Sequence, residues 1–281
     1  MKISVFTVCM PEYAPADGVK LLAELGYEGV EWRVTTPPAL GESAVSFWTG
    51  NRCTLAPETL PTQADEVLAM CQRANISMPC LASYLGYRDL ELIEKVMRGA
   101  SMMGVPLMRV GVARYDGKTN YYQLLSEAVE GWRPVVELGR RYGVKPVAEI
   151  HLGTILPSAS AARHFVSHFK PEEVGIIHDA GNMVYEGYEN LKMGLEILGP
   201  YLSHVHVKTA AWTIQSGDPD GNLRWGCESA ALRRGQINWR DALQVLRASG
   251  YDGWVSLEDF SSGATEQKLR DNLAYIRQVL A

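Results

Sequence analysis

The sequence predicts an α/β fold, a single (β/α)8 TIM barrel that spans residues 1–281. Short β-rich runs alternate with helix-like stretches eight times, and 281 residues is a common length for such a barrel. Each strand needs a crossover before the next one, which favours a parallel sheet. The alternative is an open doubly wound sheet, but no GxGxxG motif follows the first strand.

The strands are predicted from short runs of β-branched and aromatic residues, several of which follow a glycine. In chain order they are Lys2–Cys9, Gly29–Val34, Ser77–Ser83, Leu107–Val112, Lys145–His151, Val174–Asp179, Ser203–Lys208 and Trp254–Glu258.

A helix is predicted after each strand. The first has helical spacing of its apolar residues and stops at Gly26, and two later helices stop at Gly104 and Gly143. Pro134 lies inside the fourth helix, where we expect a break or a kink. The eight helices are Pro15–Leu25, Pro61–Ala74, Leu90–Met103, Tyr121–Tyr142, Ser158–Phe169, Tyr188–Leu198, Trp239–Ser249 and Thr265–Leu280.

Two connections, Thr35–Pro57 and Thr209–Gly235, are long for a compact domain. The first is rich in Pro, Thr and Gly, and the second in Gly, Asp and Trp. Long loops in compact domains are often functional. Both are therefore candidate functional loops.

Composition excludes several classes of protein. The formal net charge is -5 and no long basic run is apparent, so no nucleic-acid partner is expected. No apolar stretch approaches membrane-spanning length, and the N-terminus lacks the features of a signal peptide. The five cysteines form no CxxC motif, and an odd number cannot all pair within one chain. Reduced thiols in the cytoplasm are therefore expected, rather than a disulfide scaffold.

Four potential metal ligands each stand near the end of a predicted strand in the C-terminal half. They are Glu149, Asp179, His206 and Glu258. An ionised carboxylate at the end of a buried strand is costly unless something pairs with it. The C-terminal strand ends of a barrel meet at one face, so these side chains should converge. Three carboxylates and an imidazole suit one divalent cation, which makes a metal-dependent enzyme the leading hypothesis.

Three other histidines lie close to these ligands in sequence. His204 precedes His206 by two residues, so it points to the same side and should pack one layer deeper. His151 follows Glu149 by two residues, nearer the mouth, where it either contacts substrate or is structural. His178 points to the opposite face and is expected to be structural.

Three further polar residues are candidates for substrate binding. Glu31 ends the second strand and could hold a substrate hydroxyl or orient Arg109, with a structural ion pair as the alternative. Lys208 points to the same barrel side as the ligand histidine and could meet a carbonyl or phosphate oxygen. Arg224 lies in the second long loop, which we expect either to cover the substrate or to be a solvated or oligomer-contact loop.

The chain resembles the xylose isomerase-like barrels, which include sugar isomerases, ketose 3-epimerases, inosose dehydratases and apurinic-site endonucleases. The resemblance covers nearly the whole chain. Its carriers are Gly-Tyr-Glu-Gly-Val-Glu at 26–31, Ala-Glu-Ile-His at 148–151, His-Asp-Ala-Gly-Asn at 178–182, His-Val-His-Val-Lys at 204–208 and Gly-Tyr-Asp-Gly-Trp-Val-Ser-Leu-Glu at 250–258.

The resemblance implies that Glu149, Asp179, His206 and Glu258 bind one divalent metal, Mn2+, Mg2+, Co2+ or Zn2+. It also implies that the two glutamates act as catalytic proton carriers in an isomerase or epimerase of a sugar or polyol-derived ketone. Such a reaction proceeds through a metal-stabilised enediolate. Loss of a β-hydroxyl from the same intermediate gives the alternative, a dehydratase of the inosose or dehydroshikimate type. A non-catalytic sugar-binding barrel is the second alternative.

Two departures from the family pattern bear on these alternatives. Asn182 stands where the family often has a histidine, so it is expected to hydrogen-bond a substrate hydroxyl rather than transfer a proton. The endonuclease branch needs additional histidines on strands two to four and after strand seven, which this chain lacks. Related barrels often form dimers or tetramers, so a homo-oligomer is expected.

Overall fold

The computed structural model describes residues 1–36 and 45–281 and confirms a closed barrel of eight parallel strands with helices between them. Residues 37–44 of the predicted loop Thr35–Pro57 lie outside the described residues. The barrel strands, in chain order, are β1 Lys2–Phe6, β2 Gly29–Val34, β3 Cys80–Gly86, β4 Leu107–Gly111, β5 Lys145–Glu149, β6 Gly175–Asp179, β7 Leu202–Val207 and β8 Trp254–Leu257.

Strand β1 closes the barrel because it pairs in parallel with a neighbour on each side. Ser4 is aligned with Gly29 of β2 and with Ser256 of β8. The remaining strands follow chain order around the barrel. Closure leaves the eight strands without a free edge.

The barrel helices are α1 Pro15–Leu25, α2 Leu60–Arg73, α3 Leu90–Met103, α4 Tyr121–Tyr142, α5 Ala159–Val166, α6 Leu191–Leu198, α7 Trp239–Ala248 and α8 Thr265–Leu280. Helices α1, α3 and α4 end at Gly26, Gly104 and Gly143, which adopt positive φ angles of 91°, 70° and 67°. That conformation is accessible to glycine without strain. Among the described helices, none is long and apolar enough to cross a membrane.

Successive residues of each strand point alternately outward, toward the helices, and inward, toward the barrel interior. Outward-facing residues such as Ala148, Ile176 and Val205 are buried beneath the helices. Inward-facing Val147 and Ile177 fill the barrel interior one layer below Glu149 and Asp179. The alternation therefore places apolar side chains in the lower interior and charged ones at the C-terminal mouth.

The structure differs from the sequence expectations at several elements. Helix α4 continues through Pro134, so the predicted break is absent. Strand β1 ends at Phe6 and a 3-10 turn occupies Thr7–Cys9. A short helix, Ala180–Tyr185, directly follows β6, where none was predicted.

The largest difference is the region predicted as the loop Thr209–Gly235. Most of it forms an antiparallel hairpin, whose strands are Thr209–Gly217 and Leu223–Ala230. The turn-forming residues between the two strands, Asp218 to Asn222, favour a loop when the composition of the segment is considered alone. The alternating apolar residues on each side of that turn are the strand signal.

Candidate metal centre

The four candidate ligands lie at the ends of four successive strands. Glu149 and Asp179 are the last residues of β5 and β6, and His206 is the penultimate residue of β7. Glu258 directly follows β8, and its backbone N–H donates to the carbonyl of Val207. All four are buried, and one ligand atom from each lies within 4.8 Å of the others.

His206 is the centre of this group. Its Nδ1 lies 3.1 Å from Glu149 Oε1, 3.4 Å from Glu258 Oε1 and 3.6 Å from Asp179 Oδ2. Two donors that are each about 2.1 Å from one cation lie about 3.0 to 3.4 Å apart at angles of 90° to 110°. An imidazole nitrogen carries at most one proton and cannot donate to three carboxylates at once. A shared cation accounts for the whole arrangement, so these residues fit a divalent metal.

The other nitrogen of His206 faces Glu31. The distances from Nε2 to the two carboxylate oxygens of Glu31 are 3.1 Å and 3.2 Å. A proton on Nε2 leaves the lone pair of Nδ1 directed at the other carboxylates. A carboxylate behind a histidine in this way fixes the tautomer that binds metal. His204 Nε2 also lies 3.0 Å from Glu31, which holds that carboxylate in place.

Glu31 takes the position of the structural alternative, a buried ion pair, rather than that of a substrate-binding residue. It is completely buried, at 0% exposure, and is enclosed by His204 and His206. It does not line the cavity described below and cannot hold a substrate hydroxyl directly. Nor does it orient Arg109, which pairs instead with Glu149.

Two permanent cations neutralise part of the buried negative charge. Lys208 Nζ lies 2.7 Å from Asp179 Oδ2 and 2.8 Å from Glu258 Oε2. Arg109 Nη1 lies 2.5 Å from Glu149 Oε2. The site still holds two more carboxylates than permanent cations, which matches the charge of one divalent metal. The carboxylates are Glu31, Glu149, Asp179 and Glu258, and the cations are Arg109 and Lys208.

The two cavity glutamates differ in their affinity for a proton. Burial raises the pKa of Glu149, but Arg109 and His206 outweigh it and hold this pKa well below its ordinary value. Burial also raises the pKa of Glu258, and Lys208 and His206 offset only part of that shift, so its pKa is above the ordinary value. Two carboxylates in one cavity with pKa values pushed apart are a common feature of acid–base sites.

Asn182 hydrogen-bonds to two of the candidate metal ligands and is not among the residues that line the cavity. Its backbone N–H donates to Asp179 Oδ1 over 2.8 Å, which caps the short helix after β6. Its side-chain Nδ2 lies 2.9 Å from Asp179 Oδ2, 3.2 Å from Glu149 Oε1 and 3.0 Å from the carbonyl of Ile150. These hydrogen bonds occupy the amide hydrogens of Asn182, which were expected to bond to a substrate hydroxyl. The geometry favours a ligand-positioning role.

A cavity of about 470 Å3 opens beside the ligand group at the C-terminal face of the barrel. Glu149, Glu258 and Lys208 line its charged side. Its walls and mouth are lined by Phe6, Trp48, Ser83, Tyr84, Arg109, Arg114, His151, Thr154 and Phe260, among others. Apolar walls with a few convergent polar groups are typical of small-molecule sites.

Of the three remaining candidates, one lines this cavity and two lie away from it. His151 lines it, and its Nδ1 lies 2.7 Å from the carbonyl of Leu152. Arg224 is exposed on the hairpin and is not among the residues that line the cavity. His178 is buried on the outward face, where burial lowers its pKa to about 4.

Sequence reasoning missed the way in which Arg109 is held. Its Nε donates to the carbonyl of Ser83 over 3.0 Å, and its guanidinium lies 4.8 Å from the ring centre of Tyr84. The mouth residues Trp48 and Phe260, with ring centres 4.9 Å apart, were also missed. A polar residue on an inward strand position is the signal that could have indicated Arg109.

Replacing Asn182 with Ala should weaken divalent metal binding by about 10- to 100-fold, the usual effect of removing a group that orients metal ligands. Calorimetric titration with Mn2+ measures the change. Asn222→Ala, at an exposed hairpin turn, is the matched control and should bind metal like the wild type. Equal affinity in Asn182→Ala would contradict the positioning role.

Comparisons with known proteins agree on the fold. Inosose dehydratase of Bacillus licheniformis is 29% identical over 137 residues, which cover 46% of this chain and 44% of that protein. The chain thus spans about half the length of the curated relatives it matches. The E. coli 3-keto-D-glucoside 4-epimerase YcjR has a TM-score of 0.73 at 17% identity and 99% coverage of both chains.

A further solved structure, the IOLI protein with a bound zinc atom, has a TM-score of 0.75 at 16% identity. The match covers 100% of this chain and 98% of that one. At such identities these structures support the fold alone. The family model described as xylose isomerase-like TIM barrel matches residues 19–279. The convergent strand ends, the closed barrel and this match together show that the chain belongs to the xylose isomerase-like TIM barrel family.

Proposed function

We propose that this protein is a divalent-metal-dependent isomerase or epimerase of a sugar or related polyhydroxy ketone. The observation that carries the proposal is the position of Glu149 and Glu258. Both line one cavity from strands that lie three apart around the barrel, and each contributes an oxygen to the same candidate metal group. The substrate class is supported by the curated relatives, which are inosose dehydratases and act on a polyol-derived ketone.

A divalent cation in this group would supply Lewis acidity, which polarises a carbonyl and acidifies the neighbouring C–H bond. In this proposal Glu258 takes that proton, because it lines the cavity and its pKa lies above the ordinary value of a glutamate. In the same proposal Glu149 acts on the opposite face of the substrate. Its second oxygen is held by Arg109, which fixes the carboxylate and favours its ionised form.

The remaining residues orient the substrate and exclude water. Tyr84, Phe6, Trp48 and Phe260 give the cavity apolar walls. Lys208 can hold a substrate oxygen on the side of Glu258. Return of the proton to the opposite face gives epimerisation, and its delivery to the neighbouring carbon gives isomerisation.

A dehydratase is the second candidate, and two observations favour it. The curated relatives are inosose dehydratases. Lys208 also lines the cavity next to Glu258, and its ammonium could donate a proton to a departing β-hydroxyl. The same initial proton removal then ends in elimination.

Proton NMR in deuterium oxide tests the proposal. A panel of ketoses and a keto-inositol is incubated with the protein and Mn2+, and in parallel with a chelator. The expected result is metal-dependent loss of one carbon-bound proton signal, and the product then separates epimerase, isomerase and dehydratase. Ligand binding without any exchange would instead support a non-catalytic sugar-binding barrel and reject the proposed reaction.

A further inference from the structure

The hairpin after β7 has one apolar face and one polar face. Its register aligns Trp225 with Ile214 and Cys227 with Trp212, so these four side chains share a face. The register shifts between Arg224 and Trp225. Leu223 lies two residues before Trp225 on the same strand, so it also belongs to the apolar face.

Only the base of this apolar face is covered by the barrel. Trp212 Nε1 donates to the carbonyl of Val184 over 2.7 Å, which fixes the base on the short helix after β6. Farther out, Ile214, Leu223 and Trp225 are 55%, 51% and 54% exposed. A surface with this much exposed apolar area usually meets another molecule.

The hairpin also has free strand edges. Within residues 1–36 and 45–281, its sheet contains two strands and no third strand pairs with it. A two-stranded sheet is marginally stable in water, and an open edge is a template for another strand. A partner that pairs with this edge would present a strand of its own.

The strand Leu223–Ala230 is complementary to itself. When two copies of it pair antiparallel around Gly226, Arg224 of each copy lies opposite Glu228 of the other. Trp225 then lies opposite Cys227, which joins the two apolar faces. An added Cβ at Gly226 would meet the side chain of Gln215 of its own hairpin, which would have to move aside.

We propose that the strand Leu223–Ala230 is the interface of a twofold-symmetric dimer of this chain, in which two hairpins form one four-stranded antiparallel sheet. The occupant is a second copy because the charge pattern matches its own image about one axis. That is the property an isologous interface requires. This inference does not depend on the proposed catalytic activity.

Charge reversal tests the pairing. Sedimentation velocity of the full chain over a range of concentrations should show a dimer. In the proposed dimer, residue 224 of each copy faces residue 228 of the other, so there are two such pairs. Arg224→Glu and Glu228→Arg each give both pairs like charges, and each should raise the dimer dissociation constant at least about tenfold. The double exchange Arg224→Glu with Glu228→Arg restores both pairs and should return the constant to within about threefold of wild type.

Arg98→Glu is the control for net charge, since Arg98 is exposed on α3 and its reversal changes the charge of the chain equally. It should leave dimerisation unchanged. A monomeric wild type, a dimer that survives both single reversals, or a double exchange that fails to reassemble would each overturn the inference.

A disulfide trap tests the register independently of charge. In a Cys227→Ser background, cysteines at 224 and 228 are about 13 Å apart within one extended strand and cannot bridge. Across the proposed twofold axis, the cysteine at 224 of one copy lies opposite the cysteine at 228 of the second copy. Oxidation should therefore give a covalent dimer on a non-reducing gel, and an uncrosslinked monomer would contradict the proposed register.

Discussion

Replacing Glu258 with Gln should lower turnover at least about a hundredfold, the scale of removing a general base. Gln keeps the size of the side chain and can still accept a bond from Lys208, but it cannot take a proton from carbon. The loss should appear both in turnover and in exchange of the substrate proton with deuterium oxide. Both are measured on the substrate identified by the NMR panel.

The metal content of Glu258→Gln must be measured alongside, because Glu258 is also a candidate ligand. Assays at saturating Mn2+ separate lost proton transfer from lost metal. Glu66→Gln, an exposed change on α2, is the control and should keep full activity. Near-normal exchange in metal-loaded Glu258→Gln would remove the residue from the proposed reaction.

Saturating divalent metal should raise the free energy of unfolding by about 2.7 kcal/mol at a concentration a hundred times the dissociation constant. The reason is that the folded chain brings four buried ligand atoms together, whereas the unfolded chain separates them. Urea unfolding with Mn2+ and with chelator measures the difference. The protein should also lose its activity in chelator and regain it when metal is returned.

Asp179→Asn should abolish most of this stabilisation. Asn can still cap the helix Ala180–Tyr185, so the fold is expected to survive, but the ligand charge is gone. Asp65→Asn, on the exposed face of α2, is the matched control and should respond to metal like the wild type. An undiminished response in Asp179→Asn would exclude Asp179 from the metal site.

The hairpin shows where local sequence signals fall short. Its turn, Asp218 to Asn222, is clear from composition, but the flanking strands pair only with each other and carry exposed apolar residues. Pro134 is the opposite case. Helix α4 is amphipathic and packs along the barrel, so tertiary contacts maintain it across a residue that disfavours helices.

The sequence by itself determined the barrel, the order of its elements and the strand ends at which Glu149, Asp179, His206 and Glu258 lie. It could do so because the two-residue period of strands and the capping of helices are local properties. Which charged group meets which was decided only by the tertiary structure. Arg109 reaches Glu149, and Glu31 stands behind His206, across separations of 40 and 175 residues. Such contacts depend on how the closed barrel directs each side chain, and no local pattern encodes that direction.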